Sequence, residues 1–152
     1  MMLDVLFPHP NSEIHVVDPY EPDPTTPEVA PETETVFAEN LLAGGHENQI
    51  HLYKGLSAEV LAWMLAEDGF WESFDFIYID GSPRAKDVFI DAAMSWHLLK
   101  VGGGLCFDDY HWKRDLPVTA RPQAAIDAFE TVFADSIATV AIKRKMFQKL
   151  RA

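Results

Sequence analysis

The chain has 152 residues, 48% of them hydrophobic, and that is enough apolar sequence for the core of one domain, 1–152. Acidic residues outnumber basic ones by 24 to 12, giving a formal net charge of -12. This balance argues against nucleic acid as a partner, because proteins that bind phosphate backbones usually carry a basic patch. The single cysteine, Cys106, excludes an internal disulfide. No apolar run approaches membrane-spanning length, so we expect a soluble, cytoplasmic protein.

The hydrophobic pattern predicts helices that alternate with strands along most of the chain. The predicted elements, in chain order, are the last turns of a helix over Met1–Phe7, a strand over Ile14–Val17, a proline-rich acidic loop over 19–31, a helix over Glu34–Ala43, a strand over Gln49–Tyr53, a helix that Ser57 caps, a strand over Phe74–Ile79, a helix from Ser82 to about Gly102, a strand over Leu105–Phe107, a helix from Pro122, and strands over Ile137–Ile142 and Met146–Leu150.

The chain is organised around a βαβ unit whose strands are Phe74–Ile79 and Leu105–Phe107. The first strand is a continuous run of apolar, aromatic and β-branched residues, which is typical of a strand buried on both faces of a parallel sheet. We expect Ser82 to cap the intervening helix, with Pro83 at its first position. The three consecutive glycines 102–104 are expected to end that helix.

Both strands of this unit run directly into carboxylates, namely Asp80 after the first strand and Asp108 and Asp109 after the second. Ligands of open α/β sheets bind at the carboxyl ends of the strands, and three converging carboxylates favour a hard divalent ion such as Mg²⁺. Alternatively, Asp80 caps a helix and the other two order the next loop. Asp18 closes the strand Ile14–Val17 and is either a ribose-binding acid or an ordinary turn residue.

The residues placed so far resemble the small-molecule group of class I S-adenosylmethionine-dependent methyltransferases. The segments that carry the resemblance are Ile79-Asp80-Gly81-Ser82, Asp87-Val88-Phe89-Ile90-Asp91, Leu98-Leu99-Lys100-Val101-Gly102-Gly103, Phe107-Asp108-Asp109-Tyr110-His111-Trp112 and the helix from Arg121 to Phe129. The resemblance extends from about Asn11 onward. It implies a Rossmann-like methyltransferase sheet with helices on both faces and a C-terminal antiparallel β-hairpin.

The resemblance also implies roles for individual residues. Asp18 matches the acid that binds the cofactor ribose, and a loop near the adenine matches Gly55, Leu56 and Ser57. The implied sites are, for the cofactor, Asp18, Gly55, Leu56, Ser57, Asp80, Gly81 and Ser82; for Mg²⁺, Asp80, Asp108 and Asp109; and for catalysis, Asp80. His111 is a further catalytic candidate because it closely follows the pair Asp108-Asp109, and His97 is the alternative. The implied reaction is O-methylation of a small hydroxylated acceptor, such as a sugar or a natural-product intermediate, by S-adenosylmethionine.

The sequence departs from the family pattern in two ways. No segment matches the glycine-rich G-x-G-x-x-G turn or the strand before it, and Pro83 stands where the group usually has histidine. We therefore expect a domain that lacks its first strand, with a gap in the sheet, a pairing between the strands at Ile14 and Phe74, or a strand supplied by another copy in a homo-oligomer.

Two rival functions remain open from the sequence. One is a non-catalytic or truncated methyltransferase-fold remnant that acts as a binding or oligomerisation module. The other is a flavodoxin-like or response-regulator-like fold, in which an acidic cluster also binds Mg²⁺. The two closing strands at Ile137–Ile142 and Met146–Leu150 favour the methyltransferase, because a response regulator ends in a strand and then a helix.

Overall fold

The computed structural model describes residues 9–21, 32–45, 47–141 and 145–152. The chain divides into two compact units, Met1–Leu56 and Ser57–Ala152. The strands are β1 (Ile14–Asp18), β2 (Ile50–Lys54), β3 (Phe74–Ile79), β4 (Leu99–Phe107), β5 (Ile137–Ala141) and β6 (Lys145–Lys149). The helices are α1 (Thr33–Gly44), α2 (Ser57–Ala66), α3 (Ala85–Leu98) and α4 (Gln123–Val132), and short 3-10 turns lie at Glu47–Gln49 and Val118–Ala120.

The first unit contains a parallel two-stranded sheet formed by β1 and β2. The register pairs Ile14 with Ile50 at one end and Asp18 with Lys54 at the other. Helix α1 joins the strands and ends at Gly44, one residue beyond the predicted Ala43, and Gly45 follows with a φ of 68°. A positive φ is a conformation that glycine adopts without steric cost, which explains the stop at this position.

The second unit contains a four-stranded sheet in the order β3-β4-β6-β5. Strands β3 and β4 run parallel, whereas β6 is antiparallel to both β4 and β5. Helix α3 packs against α2 and α4. The core between sheet and helices is rich in aromatic residues, and its buried members include Trp96, Leu99, Leu105, Phe107, Ile126, Phe129 and Phe147. The predicted C-terminal antiparallel hairpin is confirmed, and the α/β architecture with it.

The connection between β3 and β4 differs from the prediction. Helix α3 begins at Ala85, and its N-cap residue is Arg84, which makes no side-chain capping hydrogen bond. The prediction that Ser82 caps this helix was therefore wrong, since the Ser82 hydroxyl donates to the Asp87 side chain instead. The helix ends at Leu98, and the three glycines lie inside β4. Their expected role as the helix stop was wrong as well.

Two burial predictions also need correction. Strand β3 is an edge of its sheet, and its Phe76 and Tyr78 side chains are 41% and 43% exposed, so it is not buried on both faces. On α4, the helical spacing predicts that Val132 shares an apolar face with Ile126 and Phe129, but Val132 is 70% exposed. Cys106 is buried and free, which suits a small apolar side chain in the core.

The strand pairing bears on the expected gap in the sheet. Within the described ranges, β1 pairs with β2 in the first unit, and β3 pairs with β4 in the second. The alternatives drawn from the sequence for the missing first strand stay predictions. The predicted helix end at Met1–Phe7 and most of the proline-rich loop, 22–31, lie outside the described residues. No helix in the described part of the chain is long and apolar enough to cross a membrane.

Candidate functional site

The carboxyl ends of β3 and β4 bring the predicted acidic residues to one edge of the sheet. The register pairs Ile79 with Phe107, so that Asp80 and Asp108 are the next residues on two neighbouring parallel strands. The Asp108 amide donates to the Ile79 carbonyl over 3.2 Å and so extends this pairing by one residue. Asp109 is half-buried and follows immediately. The sequence prediction placed these three residues together for the same reason.

The carboxylates influence one another electrostatically. Burial raises the pKa of the Asp109 carboxyl above its ordinary value, and the neighbouring charge of Asp108 raises this pKa further. Both causes penalise the negative form of the group, and a bound cation would offset both. This oxygen-only set of donors suits Mg²⁺, which favours carboxylate ligands and retains several waters. The residues present therefore fit the predicted ion.

These residues line an open cleft in the second unit. Its empty volume, open solvent included, is about 230 Å³. Polar groups on one side face an apolar wall from α3, β4 and the start of α4. The lining residues are Ile79, Asp80, Gly81, Ser82, Pro83, Val88, Phe107, Asp108, Asp109, Pro122 and Ile126. Five of the residues predicted to bind the cofactor or the metal in this unit therefore line the cleft.

His111, the predicted catalytic residue, is not among the residues that line this cleft. It is exposed in the turn after Asp109, where its ring contacts the Tyr110 ring and the Arg114 guanidinium. The Tyr110 hydroxyl donates to Asp127 Oδ1 over 2.8 Å, which fixes the turn to α4. A catalytic role for His111 stays a prediction.

A buried polar contact that the sequence pattern did not predict lies next to Gly81. Asp91 on α3 is 5% exposed, and its Oδ2 accepts a hydrogen bond from the Ser57 hydroxyl over 3.0 Å. The same oxygen lies 3.7 Å from the position that a Cβ on Gly81 would occupy. Asp91 Oδ1 is buried without a hydrogen-bond partner in the described part of the chain. Asp91 therefore links two predicted cofactor residues, and the spacing of the Asp87–Asp91 motif was the available signal.

Burial raises the pKa of the Asp91 carboxyl, the Ser57 hydrogen bond lowers it, and the charge of Asp87 raises it again. The net direction is upward, because desolvation is the largest of the three effects. Ser57 was predicted to cap α2, and it is the first residue of that helix. Its hydroxyl also forms a tertiary hydrogen bond to Asp91.

In the first unit, Asp18 and Gly55 lie together at the carboxyl ends of β1 and β2. The Gly55 amide donates to the Asp18 carbonyl over 3.2 Å. The Asp18 side chain accepts from the Tyr20 amide over 2.7 Å through Oδ1, as in the turn that was the alternative to ribose binding. A carboxylate has two oxygens, so this turn still permits Oδ2 to accept from a ribose hydroxyl. Leu56 is 57% exposed beside this loop.

The sequence profile of a family described as "Methyltransferase domain" matches residues 1–110. The fold resembles several solved structures. A protein from Corynebacterium glutamicum has a TM-score of 0.65 at 19% identity, and the match covers 99% of this chain and 67% of that one. CalS11, a TDP-rhamnose 3'-O-methyltransferase of calicheamicin biosynthesis, has a TM-score of 0.61 at 14% identity, with coverages of 95% and 61%.

A third similar structure is MycE, a methyltransferase of the mycinamycin pathway solved with Mg, SAH and mycinamycin VI. Its TM-score is 0.56 at 15% identity, and the match covers 95% of this chain and 47% of MycE. The chain thus spans about two thirds or less of the length of these three proteins. At these identities the likeness establishes the fold. A search of curated proteins found no match.

Proposed function

The chain belongs to the class I S-adenosylmethionine-dependent methyltransferase family, and we propose that it transfers the methyl group of S-adenosylmethionine to a hydroxyl oxygen of a small acceptor. The observation that carries the proposal is the set of carboxylates at the ends of β3 and β4. The βαβ unit can fold without three acids at one edge of the sheet. The mutual repulsion of three carboxylates opposes their clustering there. A site that binds a cation and a hydroxylated acceptor accounts for them.

The proposal includes a Mg²⁺ ion bound by the carboxylates. Asp80, Asp108 and Asp109 would hold Mg²⁺ in the cleft of the second unit. Bound there, the ion would lower the pKa of the acceptor hydroxyl and orient its oxygen. The chain's own contribution is positioning: Phe107 and Ile126 provide an apolar wall beside the carboxylates, which limits water next to the reacting oxygen.

The cofactor residues are proposed for each unit separately. In the first unit, Asp18 would accept hydrogen bonds from the ribose hydroxyls, with Gly55 and Leu56 in the following loop. In the second unit, Ser57 and the turn Gly81-Ser82 would contact the cofactor, and Asp91 would hold Ser57 in place. His111 would assist as a base from the turn after Asp109.

A sugar or a glycosylated natural product is the proposed acceptor class. CalS11 is named as a TDP-rhamnose 3'-O-methyltransferase, and the MycE structure contains mycinamycin VI together with Mg and SAH. Vicinal hydroxyls of a sugar can approach a hard cation together, which suits an oxygen-rich site. The net charge of -12 argues against a nucleic acid partner. Nucleic acid and membrane are therefore not proposed as partners.

The test is a methyl-transfer assay on the purified chain. It would be incubated with methyl-labelled S-adenosylmethionine and a panel of deoxysugar nucleotides, glycosylated macrolides and catechols, with Mg²⁺ or with EDTA. We expect S-adenosylhomocysteine to form with at least one acceptor and to fall sharply with EDTA. Asp108→Asn should lower kcat by about 100-fold or more, since it removes a proposed ligand of the ion that stabilises the reacting oxygen.

Asp68→Asn is the matched control, because Asp68 is exposed and lies outside the cleft. It should leave the rate unchanged. The alternative drawn from the sequence, a remnant that binds a partner or completes an oligomer, predicts no transfer to any acceptor even in excess cofactor and Mg²⁺. Equal turnover in Mg²⁺ and in EDTA would contradict the proposed role of the metal ion, but it would agree with methyltransferase activity.

A further inference from the structure

A second group of potential metal ligands lies on one face of the sheet in the first unit. It consists of Glu13, directly before β1, His15 on β1 and His51 on β2. Alternate residues of a strand share a face, so Glu13 and His15 point the same way. The register then places His51 directly opposite His15. The predicted Mg²⁺ residues belong to the other unit and contribute nothing to this group.

The geometry converges on one carboxylate oxygen. The two imidazole rings stack with centroids 4.6 Å apart and planes 24° apart. His51 Nε2 lies 3.4 Å from Glu13 Oε2, and His15 Nε2 lies 3.8 Å from the same atom. One nitrogen or oxygen from each residue lies within 4.8 Å of the others.

These separations are too long for charge-assisted hydrogen bonds, which measure about 2.7–2.9 Å. The shorter separation matches that of two ligands on a shared ion, since ligand atoms lie about 3.4 Å apart in a tetrahedral site with bonds of about 2.0–2.2 Å. A shift of about 0.4 Å would bring His15 Nε2 to the same distance from Glu13 Oε2. His51 Nε2 is also buried and forms no hydrogen bond within the described residues, although it faces the carboxylate. A buried imidazole nitrogen in that position gains a partner if a cation sits between it and Glu13.

Tyr53 is placed to orient the His15 ring. His15 Nδ1 lies 3.1 Å from the Tyr53 hydroxyl. Metal-binding histidines usually donate their other ring N–H to an oxygen, which fixes the tautomer that offers its lone pair to the ion. With the ring proton on Nδ1 and donated to Tyr53, the lone pair of His15 is on Nε2, the atom that lies 3.8 Å from Glu13 Oε2.

We infer that Glu13, His15 and His51 form a binding site for a divalent transition ion of the Zn²⁺ type. Two imidazoles and one carboxylate are a ligand set typical of zinc, with a fourth position for water. The ion would connect β1 to β2 and stabilise the first unit, because metal affinity adds to folding free energy when the unfolded chain lacks the site. This inference is independent of the proposed methyl transfer.

The test is titration of the full chain with Zn²⁺ in the presence of excess Mg²⁺, which occupies carboxylate-only sites. Calorimetry should show one ion per chain, and Co²⁺ used in its place should give the visible absorption of a tetrahedral site. His15→Gln, His51→Gln and Glu13→Gln should each weaken Zn²⁺ binding by about 100-fold or more. Tyr53→Phe should weaken it by about 10-fold, because it removes only the partner of His15.

His97→Gln is the control, since His97 is exposed on α3 and belongs to the second unit. It should bind Zn²⁺ as the wild type does. Glu13 is 58% exposed, so its variant should fold even if a histidine variant does not. The inference is overturned if the chain binds no Zn²⁺, if Glu13→Gln binds it with wild-type affinity, or if His97→Gln weakens binding equally.

Discussion

The Ser57 hydroxyl donates to the buried Asp91 carboxylate over 3.0 Å, and this hydrogen bond joins the start of α2 to the middle of α3. It satisfies only one of the two carboxylate oxygens, since Asp91 Oδ1 has no partner within the described residues. A buried acid in this position stabilises the fold less when it is charged than when it is protonated.

Asp91→Asn should make the protein more stable at alkaline pH. The pKa of Asp91 is raised from 3.8, so its favourable contribution is complete below that value and is lost as pH rises through the folded-state pKa. The amide removes the buried charge, and the Ser57 hydroxyl can still donate to its oxygen. We expect a gain of the order of 1 kcal/mol at about pH 8 that shrinks as the pH falls towards 3.8, the ordinary value of the Asp91 pKa.

Urea unfolding at several pH values measures this difference. Asp68→Asn, at an exposed position, serves as the control and should follow the wild type throughout. A constant difference between Asp91→Asn and the wild type across the pH range would show that Asp91 does not titrate with a raised pKa in the folded chain.

Lys149→Met should destabilise the second unit by about 2 kcal/mol. The Lys149 ammonium is buried and donates to the carbonyls of Trp96 and Leu99 and to Glu72 Oε1, over 3.0, 2.8 and 2.9 Å. Methionine keeps the length of the side chain but leaves both carbonyls without this donor. Thermal or urea unfolding measures the decrease in the free energy of unfolding.

Glu72→Gln is the companion to that variant. The Glu72 side chain is 45% exposed, so loss of its charge should cost less than about 1 kcal/mol. If Glu72→Gln were as damaging as Lys149→Met, the ion pair rather than the two carbonyl contacts would account for the stabilisation.

Gly103→Ala should destabilise the sheet by about 1–3 kcal/mol. A Cβ at this position would lie 2.8 Å from Leu99 Cδ1 and 3.0 Å from the Asp75 and Lys100 carbonyl oxygens. The two carbonyls belong to the backbone and cannot withdraw as a flexible side chain can. The free energy of unfolding in urea measures the effect.

Gly69→Ala provides the matched substitution, because nothing lies within 4 Å of its Cβ position. It should change stability by no more than about 0.5 kcal/mol. Equal stability of the two alanine variants would mean that β3 and β4 leave room for a Cβ at Gly103.

Local sequence pattern predicted the features that depend on neighbouring residues. The bounds of β3 agree with the prediction, and Asp80 and Asp108 meet because parallel strands end at the same edge. The role of glycines 102–104 was predicted wrongly because a run of glycines can either end a helix or permit close packing of strands. The short Cβ distances at Gly103 show that close strand packing applies here.

Burial of polar residues could not be read from local pattern. Asp91 and Lys149 are buried because their partners, Ser57 and the carbonyls of Trp96 and Leu99, come from distant parts of the chain. The same holds for His15 and His51, which are brought together by the parallel register. Each residue alone looks like an ordinary surface residue.

The most direct test of the central claim is a calorimetric titration of S-adenosylhomocysteine into the folded chain, with and without Mg²⁺. We predict saturable binding with micromolar affinity and one site per chain. Asp18→Asn should weaken it by about 10-fold, because a charge-assisted hydrogen bond to the ribose becomes a neutral one. Absence of binding heat in a sample that circular dichroism shows to be folded would contradict the claim that this methyltransferase domain uses the cofactor.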